Sequence, residues 1–252
     1  MERVAEKELI TPTSEKDVVE EEIDRWLEIF SIFIHDMESP LATMKYLLRL
    51  LGENQLDPQK QRHQKLIRSS AIAVERAESI LYDIMAVARS GKVGIPVNMT
   101  NLVPDAVIRE AIELAGGSAQ EHNIEITFTN NSGNIAVQAD PKLLKRTLDN
   151  LLYNAIRHTP EGGKIAVYTE PGEQCVFTHV KDSGPGLGDI EPSQLFEKYG
   201  QIKARIEGKH RGVGLGLYFC KLAATGMGGT IIADDHPKGG AVFSIKLKKT
   251  KE

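Results

Sequence analysis

The stretch Ile32-Phe33-Ile34-His35-Asp36-Met37-Glu38-Ser39-Pro40-Leu41 lies in a pattern that predicts one long helix over about residues 14–53. Apolar residues recur there in steps that alternate between four and three, which is a heptad stripe. The stripe consists of Ile23, Leu27, Phe30, Ile34, Met37, Leu41, Met44, Leu48 and Leu51. His35 falls one position off this stripe, so its ring is expected to be exposed. Pro40 cannot donate a backbone hydrogen bond inside the helix, which predicts a bend just below His35.

A second helix is predicted over about residues 58–90, after a turn at Asn54–Pro58. Asp57 is a favourable N-cap, and Pro58 suits the first helical position. The heptad step continues at Ile67, Ser70, Val74, Ala77, Leu81, Ile84 and Ala88. Two helices of this length cannot bury both stripes by themselves, so we predict that two chains form a homodimeric four-helix bundle.

The composition indicates a globular chain that forms one large domain or two smaller ones. Its 252 residues are 41% hydrophobic and 26% charged, and the net charge of −4 gives no reason to expect nucleic-acid binding. No apolar run reaches the roughly 20 residues of a membrane span, and the charged N-terminus is unlike a signal peptide. Cys175 and Cys220 lack the spacing of metal ligands, so we expect buried reduced thiols.

The pattern changes after Gly91–Pro96, which reads as a linker. We predict a helical hairpin at 1–92, a linker at 93–100 and a second domain at 101–252. In the second domain, helices are predicted at 103–115, 141–158 and 215–226, and strands at 125–129, 137–139, 164–169, 175–181, 229–234 and 241–247. Strands that are mostly antiparallel, with helices between them, favour an α/β sandwich.

The segment Asn150–Pro160 places polar residues along one face of a predicted helix. Asn150 and Asn154 are one helical turn apart, and Arg157 follows on the same face. Two amides and a cation on one face can hold a hydrated metal ion and polyphosphate oxygens. The alternative is that these are surface residues of an amphipathic helix.

Two glycine-rich segments follow. Asp182–Gly188 comes directly after a predicted strand, and its glycines let the backbone approach a flat ligand whose exocyclic amine the Asp182 carboxylate could bind. The alternative is an ordinary glycine-rich turn. Gly208–Leu217 leads into a helix, where backbone N–H groups and the helix dipole favour phosphate. The spacing and the preceding basic loop exclude a dinucleotide fingerprint, and the P-loop pattern is absent.

In their order along the chain, these segments resemble the motifs of the sensor histidine kinases of two-component signalling. His35-Asp36 with Pro40-Leu41 resembles the H-box of the family, and Asn150–Pro160 resembles its N-box. Asp182–Leu187 and Gly212–Leu217 resemble its two glycine boxes, and Leu195–Tyr199 resembles its F-box. The resemblance covers about residues 15–248. It implies the helical hairpin of a dimeric four-helix bundle, followed by an α/β-sandwich domain that binds ATP in the Bergerat manner.

The resemblance also implies an activity and its residues. The γ-phosphoryl group of ATP would pass to His35, with Asp36 as general base, and then to an aspartate of a response-regulator receiver domain. Asn154 would bind Mg²⁺. The remaining ATP-binding positions would be Asn150, Arg157, His158, Asp182, Gly184, Gly186, Lys209, Gly212, Gly214, Leu215 and Gly216.

The sequence departs from the family pattern in three places. Glu38 stands where a basic residue is common. Ser39 stands where phosphatase-competent members carry Thr or Asn, and its hydroxyl leaves a phosphatase activity toward the regulator open. Gln201 stands near where many members place an arginine for the γ-phosphate, in a segment at about 198–211 that resembles the family's lid. The lysines that could replace this arginine are Lys198, Lys203 and Lys209.

The implied partners are a second copy of the chain, a response regulator and an upstream sensor domain or sensor protein. Only 34 residues precede His35, too few for a sensor domain, so a fragment of a longer protein is expected. We expect the chain to be located in the cytoplasm, either as a separate protein or as the cytoplasmic part of a membrane-bound sensor. One alternative is a Bergerat-fold ATPase or anti-sigma-type serine kinase, which would not need the hairpin. Another is a degenerate dimerising scaffold, against which the intact Asn154, Asp182 and glycine boxes argue.

Overall fold

Two long helices precede a mixed α/β region in the computed structural model, which describes residues 15–89, 95–188, 190–197 and 215–250. The helices are α1 (Glu15–Gly52), α2 (Gln61–Arg89), α3 (Pro104–Glu121), α4 (Pro141–His158) and α5 (Leu215–Gly226), with a short 3-10 helix at Gln194–Phe196. The strands are β1 (Thr100–Leu102), β2 (Glu125–Asn130), β3 (Val137–Ala139), β4 (Lys164–Pro171), β5 (Cys175–Asp182), β6 (Thr230–Asp235) and β7 (Ala241–Lys248). The predicted architecture, a helical hairpin and an α/β sandwich, is confirmed.

The helices α1 and α2 pack against each other through side chains that mostly flank the heptad stripe. The buried apolar residues of the hairpin include Phe33, Leu50, Ala73, Ala77 and Ile80. The stripe itself is largely exposed: its most open positions on α1 are Leu27 at 60%, Ile34 at 64%, Leu41 at 51% and Leu48 at 66%. On α2, Ile67, Val74 and Leu81 are 39%, 42% and 51% exposed. One hairpin therefore leaves two apolar rows at seven-residue spacing without cover.

The turn between α1 and α2 is built around a buried histidine. The His63 side chain is 5% exposed, and its Nδ1 accepts a hydrogen bond from the Asp57 N–H at 2.8 Å. The Asp57 Oδ1 accepts from the Gln59 N–H at 3.0 Å, so this carboxylate closes a turn. The prediction that Asp57 caps α2, with Pro58 as its first residue, is therefore wrong. The helix begins at Gln61.

The main sheet has the strand order β2-β4-β5-β7-β6. The pair β2–β4 is parallel, while the other three neighbours are antiparallel, as the sequence mostly predicted. Alternate residues of β4 and β6 are buried, and the core continues into α3, α4 and α5. Cys175 and Cys220 are buried thiols that belong to no disulfide, as predicted. This arrangement packs α4 against β5, at whose carboxyl end Asp182 lies, and packs α5 against α4 and β6.

Asp140 fixes the start of α4. Its Oδ1 accepts hydrogen bonds from the N–H groups of Lys142 at 2.9 Å and Leu143 at 3.2 Å. Its Oδ2 accepts from the Asn98 N–H at 2.7 Å. The same carboxylate therefore caps α4 and ties the segment before β1 to it.

Several elements differ from the sequence-based expectation. The helix α3 continues through Gly116 and Gly117 to Glu121 instead of ending near residue 115. The strand β1 was not predicted; it begins at Thr100, inside the expected linker, and pairs with β3. The helix α1 continues without a break through Pro40, and the bend there stays a prediction, as does the division into domains. None of the described helices is long and apolar enough to cross a membrane.

Candidate nucleotide-binding site

Asp182 ends β5 and is held in one orientation by the backbone. Its side chain is 4% exposed, and Oδ1 accepts hydrogen bonds from the Gly184 N–H at 2.8 Å and the Ala241 N–H at 3.2 Å. Within the described residues, Oδ2 accepts no hydrogen bond. A carboxylate oxygen can accept more than one hydrogen bond, so Oδ2 is available to an N–H group of a ligand.

The glycine turn after β5 lies against the carboxyl end of α4. A Cβ at Gly184 would come within 2.6 Å of the His158 carbonyl oxygen, so a side chain cannot be accommodated there. Gly186 has a φ of +84°, which L-residues rarely adopt. The structure therefore brings Asp182, Gly184, Gly186 and the backbone of His158 together; that they form one binding site stays a prediction.

The middle of α4 faces the start of α5. The Asn150 Oδ1 lies 3.0 Å from the position that a Cβ of Gly216 would occupy. The Asn150 Nδ2 is buried and has no hydrogen-bond partner among the residues that the structure describes. One turn later on α4, Asn154 is half-buried, and Arg157 is exposed. An unpaired amide beside a helix N-terminus is suited to bind an anionic ligand.

The packing of α4 on α5 includes a cation–π contact. The Arg146 guanidinium carbon lies 3.8 Å from the centroid of the buried Phe219 ring. This contact fixes the register of the two helices that carry Asn150 and Gly216. No sequence pattern predicts this contact, because the two side chains come from distant segments.

The surroundings of Asp149, next to Asn150 on α4, disfavour its ionised form. Burial raises the pKa of Asp149, and the Glu110 carboxylate also raises it. The Lys145 Nζ, 2.9 Å from Oδ2, lowers the pKa but does not outweigh burial. The ionised side chain therefore destabilises the fold relative to its protonated form.

Replacing Asp149 by Asn should raise the free energy of unfolding at neutral pH. The pKa of Asp149 in the folded protein lies above the unfolded value of 3.8. With respect to this group, the wild-type protein is therefore most stable below pH 3.8, where Asp149 is protonated in both states, and it loses stability as the pH rises through the folded-state pKa. The advantage of Asp149→Asn should therefore be absent near pH 3 and grow toward about pH 7. Thermal unfolding of both proteins across this range measures it; a variant less stable at neutral pH contradicts it.

The matched control is Asp105→Asn, which should change stability in the opposite direction. The Arg109 guanidinium, whose Nε lies 2.7 Å from Asp105 Oδ2, lowers the pKa of that carboxyl group. Its stabilising contribution is therefore present above the unfolded pKa and lost as the pH falls. Because Asp105 belongs to an exposed pair, the expected loss at neutral pH is small.

Several predicted site residues lie outside the part of the chain that is described. These are Lys209, Gly212 and Gly214, together with Lys198, Gln201, Lys203 and the whole expected lid at 198–211. The backbones of His35, Asp36 and Leu215 lie in helices, but their side chains are also outside the description, so the expected exposure of His35 stays a prediction. Ser39 is exposed on α1, and its carbonyl oxygen accepts a hydrogen bond from the Thr43 hydroxyl.

Comparison with known proteins finds relatives of the region that carries these residues. A family model described as "Histidine kinase-, DNA gyrase B-, and HSP90-like ATPase" matches residues 139–251, which include α4, the glycine turn and α5. The catalytic domain of the histidine kinase ThkA, in a nucleotide-free form, is 29% identical and has a TM-score of 0.53. That match covers 62% of this chain and 99% of the ThkA domain.

Two curated relatives extend the match over the hairpin. The sensor protein KdpD of Clostridium acetobutylicum is 25% identical over 245 residues, which cover 97% of this chain. The adaptive-response sensory kinase SasA of Gloeothece citriformis is 28% identical over 245 residues, which cover 95%. The chain is similar to sensor histidine kinases over both the hairpin and the ATPase region. It spans 27% of the length of KdpD and 62% of that of SasA.

The likeness of this chain to solved structures also includes the hairpin. A structure of ThkA in complex with the response regulator protein TrrA is 23% identical and has a TM-score of 0.55. The match covers 95% of this chain and 68% of that chain, so the fold likeness extends beyond the ATPase region.

Proposed function

We propose that the chain is the catalytic core of a protein-histidine kinase. It transfers the γ-phosphoryl group of ATP to His35 and then passes it to an aspartate of a response-regulator receiver domain. The observation that carries the proposal is the Asp182 carboxylate, whose Oδ1 is occupied by two backbone N–H groups while Oδ2 accepts no hydrogen bond from the described residues. An adenine amine is the donor that fits this oxygen, because the adjoining glycine turn leaves room for a flat ring.

The phosphates would lie along α4 toward the start of α5. The unpaired Nδ2 of Asn150 supports this placement, and so does the contact of Gly216 with the same side chain. Backbone N–H groups at the start of α5 stabilise negative charge. By family resemblance, Arg157, His158 and Lys209 contribute to nucleotide binding, and Gly212, Gly214, Leu215 and Gly216 form the phosphate loop.

Asn154 is the residue that would hold Mg²⁺. The described residues contain no group of three or more His, Cys, Asp or Glu side chains that could bind a metal ion. Mg²⁺ in kinase sites is commonly bound by few protein oxygens together with the phosphates, so a single amide fits it. When bound, Mg²⁺ would neutralise charge on the transferring phosphoryl group.

The transfer itself requires positioning more than covalent help from the protein. The imidazole of His35 attacks the γ-phosphorus, and a P–N bond forms while the bond to the bridging oxygen of ADP breaks. ADP leaves with that electron pair, and Asp36 accepts the imidazole proton. A histidine near its ordinary pKa has a free lone pair at neutral pH, which suits this role. In the second step, an aspartate of the regulator displaces the histidine from phosphorus.

The response regulator is proposed as the partner because the related kinase ThkA has been solved with one. An upstream sensor domain or sensor protein would supply the signal. Ser39 is exposed one helical turn after His35, so its hydroxyl could position a water for dephosphorylation of the regulator. This phosphatase activity is part of the proposal.

The exposed stripe supports a homodimer. Exposed apolar side chains recur every seven residues on both helices: Leu27, Ile34, Leu41 and Leu48 on α1, and Ile67, Val74 and Leu81 on α2. Burying a Leu or Ile side chain stabilises a protein by about 2 kcal/mol, so leaving these two rows exposed to water is unfavourable. A second copy of the hairpin would cover both rows in a four-helix bundle.

Introducing Leu48→Lys together with Ile67→Lys should convert the dimer to monomers. Both positions lie near the hairpin turn, away from His35, and a lysine in a helix–helix seam loses apolar contact and places charge in it. We expect the dissociation constant to rise by at least about 100-fold. Analytical ultracentrifugation measures it. Ala42→Lys, at an exposed position of α1 off the stripe, is the control and should stay dimeric. A monomeric wild-type protein contradicts the prediction.

The kinase activity is tested by incubating the chain with γ-labelled ATP and Mg²⁺. A phosphohistidine is labile in acid and stable in base, so label with these properties supports the proposal. Label that survives acid would favour the serine-kinase alternative. Binding of nucleotide without any labelling would favour the scaffold. Transfer is tested by adding a purified receiver domain and following the label onto it.

A further inference from the structure

The turn between β6 and β7 lies directly against the proposed adenine site. Asp235, the last residue of β6, pairs with Ala241, the first residue of β7. The Ala241 N–H is one of the two donors to Asp182 Oδ1. A Cβ at Gly240 would collide with the Asp182 carbonyl oxygen, so this turn can approach β5 only because position 240 is glycine. The β6–β7 turn therefore helps to fix the carboxylate proposed to bind adenine.

Asp235 also holds the glycine turn from the opposite side. Its Oδ1 accepts a hydrogen bond from the Leu187 N–H at 2.6 Å. The same oxygen occupies the space that a Cβ at Gly186 would need. Asp182 binds the first part of this turn through the Gly184 N–H, and Asp235 binds its last part. Two carboxylates from different strands thus fix both ends of one short segment.

An ion pair does not account for Asp235. Among the residues that the structure describes, no lysine or arginine lies within ion-pair distance of its carboxylate, and Asp235 is exposed. Its hydrogen bond to the Leu187 N–H joins residues 48 positions apart. A hydrogen bond that a backbone N–H donates to a carboxylate is stronger than one between two neutral groups.

We infer that Asp235 is a positioning residue for nucleotide binding. It does not touch the nucleotide; it holds Gly186 and Leu187 so that the glycine turn stays open to a purine beside Asp182. This inference rests on the proposed function, because it assigns a role within the same site. Without the Asp235 acceptor, the turn samples other conformations, and binding must first select the competent one.

The test compares variants that differ in the acceptor. Asp235→Ala and Asp235→Leu remove it, and each should raise the dissociation constant for ADP by about tenfold. Asp235→Asn keeps a carbonyl oxygen for the Leu187 N–H and should stay within about threefold of the wild type. Isothermal titration calorimetry with ADP measures binding without catalysis. The matched control is Asp234→Ala, which removes an exposed carboxylate of the same strand and should leave ADP binding unchanged.

A kinetic measurement separates positioning from general loss of structure. In Asp235→Ala, the KM for ATP should rise in proportion to the dissociation constant, while labelling at saturating ATP stays within about twofold of the wild type. Equal ADP affinity in Asp235→Ala and the wild type overturns the inference. Equal loss in Asp235→Asn and Asp235→Ala also overturns it, because the acceptor is then not the cause. Wild-type protein that binds no ADP refutes the proposed function itself, which is a distinguishable outcome.

Discussion

Replacing His35 by Gln should abolish transfer of the γ-phosphoryl group from ATP to the chain. Glutamine keeps a polar side chain of similar length, but its amide nitrogen has no available lone pair and cannot act as the nucleophile. Labelling with γ-labelled ATP should therefore fall below detection, because no other residue is proposed as acceptor. The measurement is the amount of acid-labile, base-stable label per chain.

Two controls make the His35 result specific. His35→Gln should bind ADP with wild-type affinity, because the proposed nucleotide site is formed by residues of β5, the glycine turn, α4 and α5. His122→Gln replaces an exposed histidine just after α3 and should label like the wild type. Undiminished label in His35→Gln would place the acceptor elsewhere and remove the reason for assigning the hairpin a catalytic role.

The heptad pattern illustrates how far sequence reasoning reaches in the hairpin. The steps of four and three predicted both helices, and α1 ends at Gly52, within one residue of its predicted end. The same pattern could not show which side chains face the partner helix of the same chain. The structure buries Phe33 and Leu50 there and leaves Leu27, Ile34 and Leu48 exposed. Periodicity identifies an apolar face, but the choice of neighbour depends on packing.

The missed elements depend on contacts between distant residues. The strand β1 is short and polar at two of its three positions, and it exists because β3 pairs with it. The start of α2 is set by the Asp57 N–H bond to His63, which propensity at Asp57 and Pro58 does not report. Local preference is overridden where a tertiary hydrogen bond is available.

In the candidate site, too, the sequence indicated the local features and did not indicate the contacts between distant residues. The motifs identified Asn150, Asn154, Asp182, Gly184 and Gly186, whose chemistry is local and whose spacing is distinctive, although their roles in binding stay predictions. They did not identify Asp235 or Ala241, which lie 48 and 59 residues from their hydrogen-bond partners. The paired glycines at 239 and 240 were the available signal, because adjacent glycines indicate a close backbone approach.

Replacing Asp182 by Asn should weaken ADP binding by at least about 100-fold while preserving the fold. The amide oxygen can still accept the hydrogen bonds of the Gly184 and Ala241 N–H groups, which are the contacts that Oδ1 makes in the structure. With that oxygen so engaged, the amide nitrogen takes the place of Oδ2. It then presents N–H groups to the adenine amine, so a hydrogen bond becomes a contact between two donors.

The choice of Asn instead of Ala makes the result interpretable. Asp182→Ala would leave two N–H groups without an acceptor at a position where the side chain is 4% exposed, and unfolding could then explain any loss of binding. Thermal unfolding of Asp182→Asn should show a cooperative transition close to that of the wild type.

A guanine nucleotide provides the sharper comparison, because guanine carries an acceptor, O6, where adenine carries its amine. The wild-type protein should prefer ADP to GDP, and Asp182→Asn should reduce or invert this preference, since its amide N–H can donate to O6. Titration calorimetry with both nucleotides measures the two affinities. If the affinities for ADP and GDP fall equally in Asp182→Asn, Asp182 supports the turn without recognising the base. If ADP binding is unchanged, adenine is bound elsewhere, and the role proposed for Asp182 is wrong.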